Sequence, residues 1–244
     1  MPPLLPSLWT MSQQEIVIKI FQFAILVFAL SLHESAHAWM ASRLGDQTAR
    51  MLGRVTLNPI KHIDPIGTIL IPLVMLFLPM YGGFLIGWAR PTPVNTRNFK
   101  RATRDDILTT LAGPASNMIA ALAATVVLII LIHATPAGAL AVRQVAMGAV
   151  DPDLMTASPV VFPMVMIFYL TIWLNLILAV FNLLPLPPLD GSHIFRHMLP
   201  YNALRIYDSL GMISLILMLL VGGRVVMFFV GPMFAMINGL LLSL

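Results

Sequence analysis

The chain has 244 residues, of which 59% are hydrophobic and 10% are charged, and its mean hydropathy is +0.90. A soluble domain carries about 25% charged residues, so this composition excludes an ordinary soluble protein and indicates an integral membrane protein. The net charge is +4 and cysteine is absent, which excludes disulfides, thiolate ligands and cysteine nucleophiles. No basic cluster is interleaved with aromatic residues, so the sequence gives no sign of nucleic-acid binding.

Long apolar runs define the predicted architecture. A membrane-spanning helix needs about 20 mostly apolar residues. Runs of suitable length lie at about 16–41, 107–133, 160–184 and 206–243. The last run is too long for one helix, and Gly222-Gly223-Arg224 divides it into two. The sequence therefore predicts an all-α polytopic membrane protein with five to six transmembrane helices, organised as a single domain over 1–244 with a C-terminal helix pair at about 206–243.

The first run contains the sequence His33-Glu34-Ser35-Ala36-His37. Residues four apart lie on one face of a helix, so His33 and His37 can reach one metal ion. Glu34 is rotated by roughly 100° from that pair and can act on a water molecule at the metal. This short pattern also occurs by chance in unrelated sequences. Ionisable side chains are costly in a membrane-spanning segment, however, and their presence there points to function.

A shorter apolar segment follows at about 66–88. Pro65 and Pro79 flank its first half and Pro72 lies inside it, which is more typical of a hairpin than of a helix. Basic residues precede the segment at Arg43, Arg50, Arg54 and Lys61, and follow it at Arg90, Arg97, Lys100, Arg101 and Arg104. The positive-inside rule places both groups in the cytoplasm. The segment is therefore predicted to be a re-entrant, β-hairpin-like element that enters the membrane and returns on the same side.

A hydrolytic zinc site usually has three protein ligands and a water molecule, so a third ligand is needed. The 160–184 run ends in a proline-rich stretch that leads to Asp190-Gly191. If 66–88 is re-entrant, Asp190 arrives on the same side of the membrane as His33 and His37. The alternative is that Asp190 only caps the helix that follows it. The topology favours Asp190 as the third ligand.

Three motifs occur in one order along the chain. They are His33-Glu34-Ser35-Ala36-His37, Gly113-Pro114-Ala115-Ser116-Asn117, and Asn182-x-x-Pro185-x-Pro187-x-x-Asp190-Gly191. Together they resemble the site-2 protease family of intramembrane zinc metallopeptidases, over about residues 16–200. Residues 87–95, Gly-Trp-Ala-Arg-Pro-Thr-Pro-Val-Asn, further resemble the compact prokaryotic branch that lacks a PDZ domain.

The resemblance implies a zinc-dependent intramembrane endopeptidase that hydrolyses peptide bonds within or near transmembrane segments, in regulated intramembrane proteolysis or in the clearance of membrane remnants. It implies one Zn²⁺ ion held by His33, His37 and Asp190, and Glu34 as the catalytic base. It also implies that Asn117 and Asn182 contact the substrate or the oxyanion. The expected partners are a transmembrane protein substrate and the lipid bilayer. The expected location is the cell (inner) membrane, multi-pass, with the active site toward the cytoplasm.

Two other functions stay open at this point. Intramembrane histidine and aspartate also line ion pathways, so a zinc or divalent-metal transporter is an alternative. An inactive scaffold that binds membrane proteins is another. His62 is a weaker candidate for a second metal ligand, against a structural loop histidine, and His193 and His197 for a metal-entry pair, against a solvated helix face. The oligomeric state is left undefined.

Overall fold

The computed structural model describes residues 13–77, 87–149, 157–209, 214 and 221–244. Within these ranges the chain is helical or irregular and contains no strand. It divides into two compact units, Met1–Gly113 and Pro114–Leu244, with the boundary inside a long helix. The single-domain organisation stays a prediction.

The helices account for most of the described chain. They are α1 (Gln13–Leu44), α2 (Thr48–Met51), α3 (Ile71–Phe77), α4 (Ala102–Ala134), α5 (Pro136–Met147), α6 (Val161–Asn182), α7 (Asp190–Arg196), α8 (Tyr201–Ser209) and α9 (Gly223–Ser243). In the described ranges, α1, α4, α6 and α9 are long and apolar enough to cross a membrane. α9 begins at Gly223, but residues 221–222 are themselves helical, so the predicted division of the last run at Gly222-Gly223-Arg224 stays a prediction. The fifth predicted span falls mostly on residues outside the described ranges.

The segment predicted as β-hairpin-like is helical over residues 66–77. Asp64 accepts hydrogen bonds from Ile66 N at 3.0 Å and Gly67 N at 2.7 Å, which caps a π-helical turn over Pro65–Leu70, and α3 continues that turn. Proline is tolerated at the first helical position because its missing N–H would have no helical partner there. The predicted first arm of the hairpin is therefore a helix. The predicted turn at 79–83 lies outside the described residues.

The chain returns at Trp88 to the beginning of this helix. Trp88 N donates to Gly67 O at 3.1 Å, Thr68 Oγ1 donates to Trp88 O at 2.7 Å, and Arg90 N donates to His62 O at 2.8 Å. A Cβ atom at Gly67 would overlap the Trp88 indole, so this close approach depends on glycine. The two ends of the segment thus lie side by side within the first unit.

The second unit is built on α6, which both α5 and α9 contact. The stretch between α4 and α6 contains α5. Thr135 Oγ1 accepts from Gly138 N at 3.0 Å, Pro136 occupies the first helical position, and Gly148 ends the helix with φ 67°. The buried face of α5 includes Ala141, Val142 and Val145.

Candidate metal centre and active site

His33 and His37 lie one turn apart on α1, and both side chains are buried, with 4% and 7% of their surface exposed. Their Nε2 atoms are 3.0 Å apart, and the two rings meet edge to face with centroids 4.6 Å apart. Zinc–nitrogen bonds are about 2.0–2.1 Å long, so two imidazole nitrogens at this separation can bind the same ion. The structure brings together the two histidines that the sequence predicted as ligands.

The carbonyl oxygen of Thr109, on α4, sets the tautomer of His37. It lies 2.7 Å from Nδ1 of His37. A carbonyl oxygen only accepts hydrogen bonds, so Nδ1 carries the proton and donates it. In the neutral ring the lone pair is then on Nε2, the atom that faces His33. Ligating histidines are usually held in this way, because the second hydrogen bond fixes both the tautomer and the ring orientation.

Gly113 lies one turn beyond Thr109 on α4, against the two histidine rings. A Cβ atom at this position would overlap His37 Nε2 and would lie 2.6 Å from His33 Cε1. Any larger residue would therefore occupy space beside the nitrogen that carries the lone pair. Glycine leaves this side of the histidine pair accessible to an ion.

Glu34 follows His33 directly and is held in place by Thr92. Thr92 N donates to Oε2 of Glu34 at 2.8 Å, and Thr92 Oγ1 donates to the backbone carbonyl oxygen of Glu34 at 2.9 Å. Hydrogen bonds to an ionised acceptor are stronger than neutral ones, so the backbone amide restricts the position of the carboxylate. The structure therefore fixes the orientation of the side chain that was predicted as the base.

Arg54 fixes the segment that carries Thr92. Its guanidinium is buried, and Nη1 donates to the carbonyl oxygens of Lys61 and of Arg90, the latter at 3.4 Å. Burial and then the charge of Arg90 lower the pKa of Arg54 below its usual value, while the Glu34 carboxylate opposes this shift. The charges of Arg54 and Glu34 are thus close enough to interact.

Asp46 anchors the next part of the same segment to the end of α1. The side chain is fully buried, and it accepts hydrogen bonds from Asn95 N at 2.8 Å, Asn98 Nδ2 at 2.8 Å and Thr48 N at 3.1 Å. Burial alone would raise the pKa of Asp46, but the hydrogen bonds outweigh burial and hold the pKa below its usual 3.8. Asp46 is therefore a structural anion.

Asp190 is the first residue of α7, in the second unit, and is half-buried. Leu189 occupies the N-cap position, and Asp190 follows it in the first turn. An acidic residue in the first turn is still favoured by the helix dipole. The role of Asp190 as a metal ligand stays a prediction.

The two predicted asparagines have protein partners within the second unit. Asn117 is fully buried, and its Nδ2 donates to Oδ1 of Asn175 at 2.8 Å. Asn182 is the last residue of α6, and its Nδ2 donates to Leu178 O at 3.0 Å. Contact of either side chain with a substrate stays a prediction.

The three weaker histidine candidates have structural or solvated positions. His62 is 1% exposed, and its Nε2 lies 2.8 Å from Thr56 O, which fits a structural loop histidine. It belongs to no group of three potential metal-ligating side chains in the part of the chain that the structure describes. His193 and His197 are both exposed, as expected for a solvated helix face.

The residues that surround the histidine pair had no individual role in the prediction from sequence. Thr92 and Gly113 lie inside motifs that were recognised, so a signal for them existed. Arg54 was considered only as part of a basic loop. The contribution of Thr109 is a backbone carbonyl, which any residue could provide, so the sequence offered no signal for it.

The chain is similar to known zinc metalloproteases. The sequence profile of peptidase family M50 matches residues 21–221. The chain is 42% identical over 175 residues to the putative zinc metalloprotease YwhC of Bacillus subtilis, covering 72% of this chain and 67% of YwhC. It is 31% identical over 166 residues to the putative zinc metalloprotease Rip2 of Mycobacterium tuberculosis, covering 67% of this chain and 51% of that protein, so it spans about half the length of that relative. No solved structure matches the chain.

Proposed function

The chain belongs to peptidase family M50, the site-2 protease family of zinc metalloproteases, and from that premise we propose that it hydrolyses peptide bonds within or near the transmembrane segments of membrane proteins. One observation carries the proposal. The Nε2 atoms of His33 and His37 converge to 3.0 Å, beside Glu34, on a helix that is long and apolar enough to cross a membrane. Such a placement suits hydrolysis of a substrate that is itself embedded in lipid.

One zinc ion is proposed, with His33, His37 and Asp190 as its protein ligands. Two imidazoles and one carboxylate form a ligand set found in zinc hydrolases, in which a fourth position stays open. The hydrogen bond from His37 to Thr109 O and the small residue at Gly113 support the histidine half of this set. The carboxylate half is supported by the order of the three motifs along the chain.

The chemistry that a bound zinc ion supplies is a lowered pKa of water, from 15.7 to about 7, and polarisation of the scissile carbonyl. Glu34 accepts the proton of the attacking water and later passes it to the leaving amine. The hydrogen bonds from Thr92 hold Glu34 ready for this transfer. Pre-orientation lowers the barrier because the enzyme does not have to order its base during the reaction.

The active site is proposed to lie toward the cytoplasm. Basic residues precede and follow the 66–88 segment, whereas Arg143 is the only basic residue between α4 and α6. The hydrogen bonds that join Gly67 to Trp88 support a re-entrant course, since both ends of the segment meet. The helix from Pro65 to Leu76 is too short to cross a bilayer.

The test is cleavage of a single-span model substrate by the full chain in liposomes. The Glu34→Gln variant is expected to lose about 10²–10⁴-fold in rate, because the general base is removed. Its zinc content is expected to stay at the wild-type level, because Glu34 is not a ligand. Full proteolysis by Glu34→Gln would overturn the proposed mechanism.

Matched variants separate the ligand set from the base. His37→Ala and Asp190→Ala are expected to lose both zinc and activity, whereas Asp208→Ala, an exposed carboxylate in a surface ion pair, should keep both. Retention of zinc by Asp190→Ala would exclude this residue as the third ligand. Zinc flux across the liposome without cleavage would instead indicate the transporter, and binding of the substrate with neither flux nor cleavage would indicate the scaffold.

A further inference from the structure

A cavity of about 560 Å³ lies at the C-terminal end of α1, within the first unit. It is lined by Trp39, Ser42, Arg43, Arg50, Gly53 and Val55. The histidine pair, Glu34 and their hydrogen-bond partners are not among these residues. We name it the α1-end cavity.

Two cations of the α1-end cavity are not committed to acidic partners. Arg43 and Arg50 are both exposed, and neither forms a salt bridge within the described residues. Arg43 lies over the Trp39 ring, with its guanidinium carbon 5.4 Å from the ring centroid. Arg54, by contrast, is buried and donates to two backbone carbonyls. The pair that faces the cavity is therefore available to an anion.

The surroundings of the cavity are apolar. Met51 and Leu52 follow Arg50 directly, and 78% and 61% of their surfaces are exposed. Trp39, which lines the cavity, is 46% exposed on the last turns of a membrane-spanning candidate. Tryptophan is enriched where hydrocarbon meets headgroups, and basic pockets at that level bind anionic lipid headgroups. Exposed apolar side chains beside paired arginines fit a ligand with a phosphate and a hydrocarbon chain better than they fit a soluble anion.

We propose that the α1-end cavity binds the phosphate of an anionic glycerophospholipid through Arg43 and Arg50, with Met51 and Leu52 at the boundary of its acyl chains. Arginine forms strong, directional hydrogen bonds with phosphate oxygens. The proposal concerns lipid binding and does not depend on proteolysis. It goes beyond the peptidase function, because it assigns a ligand to a surface that the catalytic site does not use.

The experiment measures lipid retained by the full chain in neutral detergent, by native mass spectrometry. Phosphatidylglycerol is the anionic probe, phosphatidylcholine is the neutral lipid, and glycerol 3-phosphate is the soluble anion. The test variant is Arg43→Gln with Arg50→Gln. The control is Arg97→Gln with Arg101→Gln, which removes the same charge from two exposed arginines that do not line the cavity.

The wild-type chain is expected to prefer phosphatidylglycerol over both other probes. Loss of two arginines near a membrane surface is expected to weaken that binding by about tenfold or more, and the control by less than about twofold. Equal losses in test and control would overturn the site, since they would indicate general charge attraction. Equal retention of phosphatidylcholine, or full competition by glycerol 3-phosphate, would overturn the assignment of an anionic lipid.

A single Arg50→Gln variant distinguishes a loss of lipid binding from a loss of fold. It leaves the contact between Arg43 and Trp39 intact, and Arg50 has no hydrogen bond from its side chain to another described residue that folding would need. Its thermal unfolding temperature is expected to match the wild type while its phosphatidylglycerol binding falls. Unchanged binding in this variant, when folded, would contradict the role of Arg50.

Discussion

The chain buries two polar pairs inside apolar helices, one of imidazoles in the first unit and one of amides in the second. His33 and His37 turn their Nε2 atoms toward each other at 3.0 Å, and Thr109 O holds the opposite nitrogen of His37. Asn117 instead donates to Asn175, which in turn donates to Thr171 O at 2.9 Å. The imidazoles present converging lone pairs, whereas each amide donor is directed to an oxygen of the protein.

The difference distinguishes a candidate metal site from a pair of amides that satisfy each other. Buried polar groups are normally hydrogen-bonded, and an amide pair closed in this way joins helices without needing a ligand. Two neutral imidazole nitrogens at short distance share at most one proton between them, and a cation satisfies both lone pairs. The small residue at Gly113 lies beside the imidazole pair. Burial alone thus does not identify a site, but the direction of the lone pairs does.

Filling the space beside the imidazoles should have the largest effect on zinc affinity and activity. In Gly113→Ala the new Cβ would overlap His37 Nε2, so the ring or the helix must shift. We expect zinc affinity to fall by about 10–100-fold, as for other changes that disturb ligand orientation, with a parallel loss of activity. Metal titration of the purified chain measures this directly.

Gly239→Ala is the matched control, because a Cβ there meets nothing within 4 Å on α9. It should keep zinc and activity. Wild-type zinc affinity in Gly113→Ala would show that zinc binding does not need the space beside the imidazole rings. It would contradict the distinction between the imidazole pair and the amide pair.

The buried carboxylate of Asp46 extends the comparison to the dependence of stability on pH. Asp46 has a pKa held below 3.8, so its ionised form stabilises the fold above the pKa of the unfolded chain, and this contribution is lost as pH falls through the folded pKa. At pH 7, Asp46→Asn is expected to lower the free energy of unfolding by about 1.5–3 kcal/mol, as for hydrogen bonds to charged groups. Unfolding followed by intrinsic fluorescence at pH 7 and pH 3 should show the difference from wild type shrinking at pH 3.

Asp208→Asn serves as the control for Asp46. Its carboxylate pairs with Arg196 at 3.1 Å on the surface, and surface pairs contribute at most about 1 kcal/mol. An equal difference between Asp46→Asn and wild type at both pH values would contradict the assignment of Asp46 as a structural anion.

Removing either amide tests the packing contact. Asn117→Ala and Asn175→Ala should each cost about 1–3 kcal/mol of unfolding free energy, because each leaves a buried partner unsatisfied. The double variant should cost less than the sum of the two. Activity per folded molecule should fall equally in both single variants. A selective loss of activity in Asn117→Ala would show that this side chain contacts the substrate as well.

The smallest effect is expected at the contact that orients Glu34. Thr92→Val removes the hydroxyl bond to the Glu34 carbonyl but keeps the backbone donor to its carboxylate. A lost hydrogen bond is worth about 0.5–1.5 kcal/mol, so kcat should fall several-fold with KM unchanged. Thr96→Val, on an exposed position of the same segment, should change neither. A wild-type kcat in Thr92→Val would show that the hydroxyl contact does not orient Glu34.

Most of the predictions from sequence depended on the length of the apolar runs and on the spacing of residues along a helix. The runs at 16–41, 107–133 and 160–184 correspond to α1, α4 and α6, because a span of lipid demands a long apolar helix. The meeting of His33 and His37 followed from helical geometry, in which residues four apart share a face. Both inferences depend only on local structure.

Short helices were harder to predict, because apolar length gives no signal for them. The sequence Asp64-Pro65 is a start signal, with a capping residue before a proline, yet the prolines were interpreted as breakers. Thr135-Pro136 and Gly148 mark α5 in the same way. The contact from Thr92 to Glu34 joins residues 58 positions apart, and no local pattern encodes such a contact.

The length of α1 between the histidines and Arg43 indicates how deep the histidine pair lies in the membrane. His37 lies six residues before Arg43, which corresponds to about 9 Å along a helix that rises 1.5 Å per residue. The midplane of a hydrocarbon layer about 30 Å thick lies about 15 Å from its edge. With Arg43 at the headgroup level, His37 lies about 9 Å and His33 about 15 Å inside the hydrocarbon layer, closer to its midplane than to its edge. We therefore expect the scissile bond of a substrate about two to three helical turns inside the membrane, so water has to reach it through a polar path of similar length.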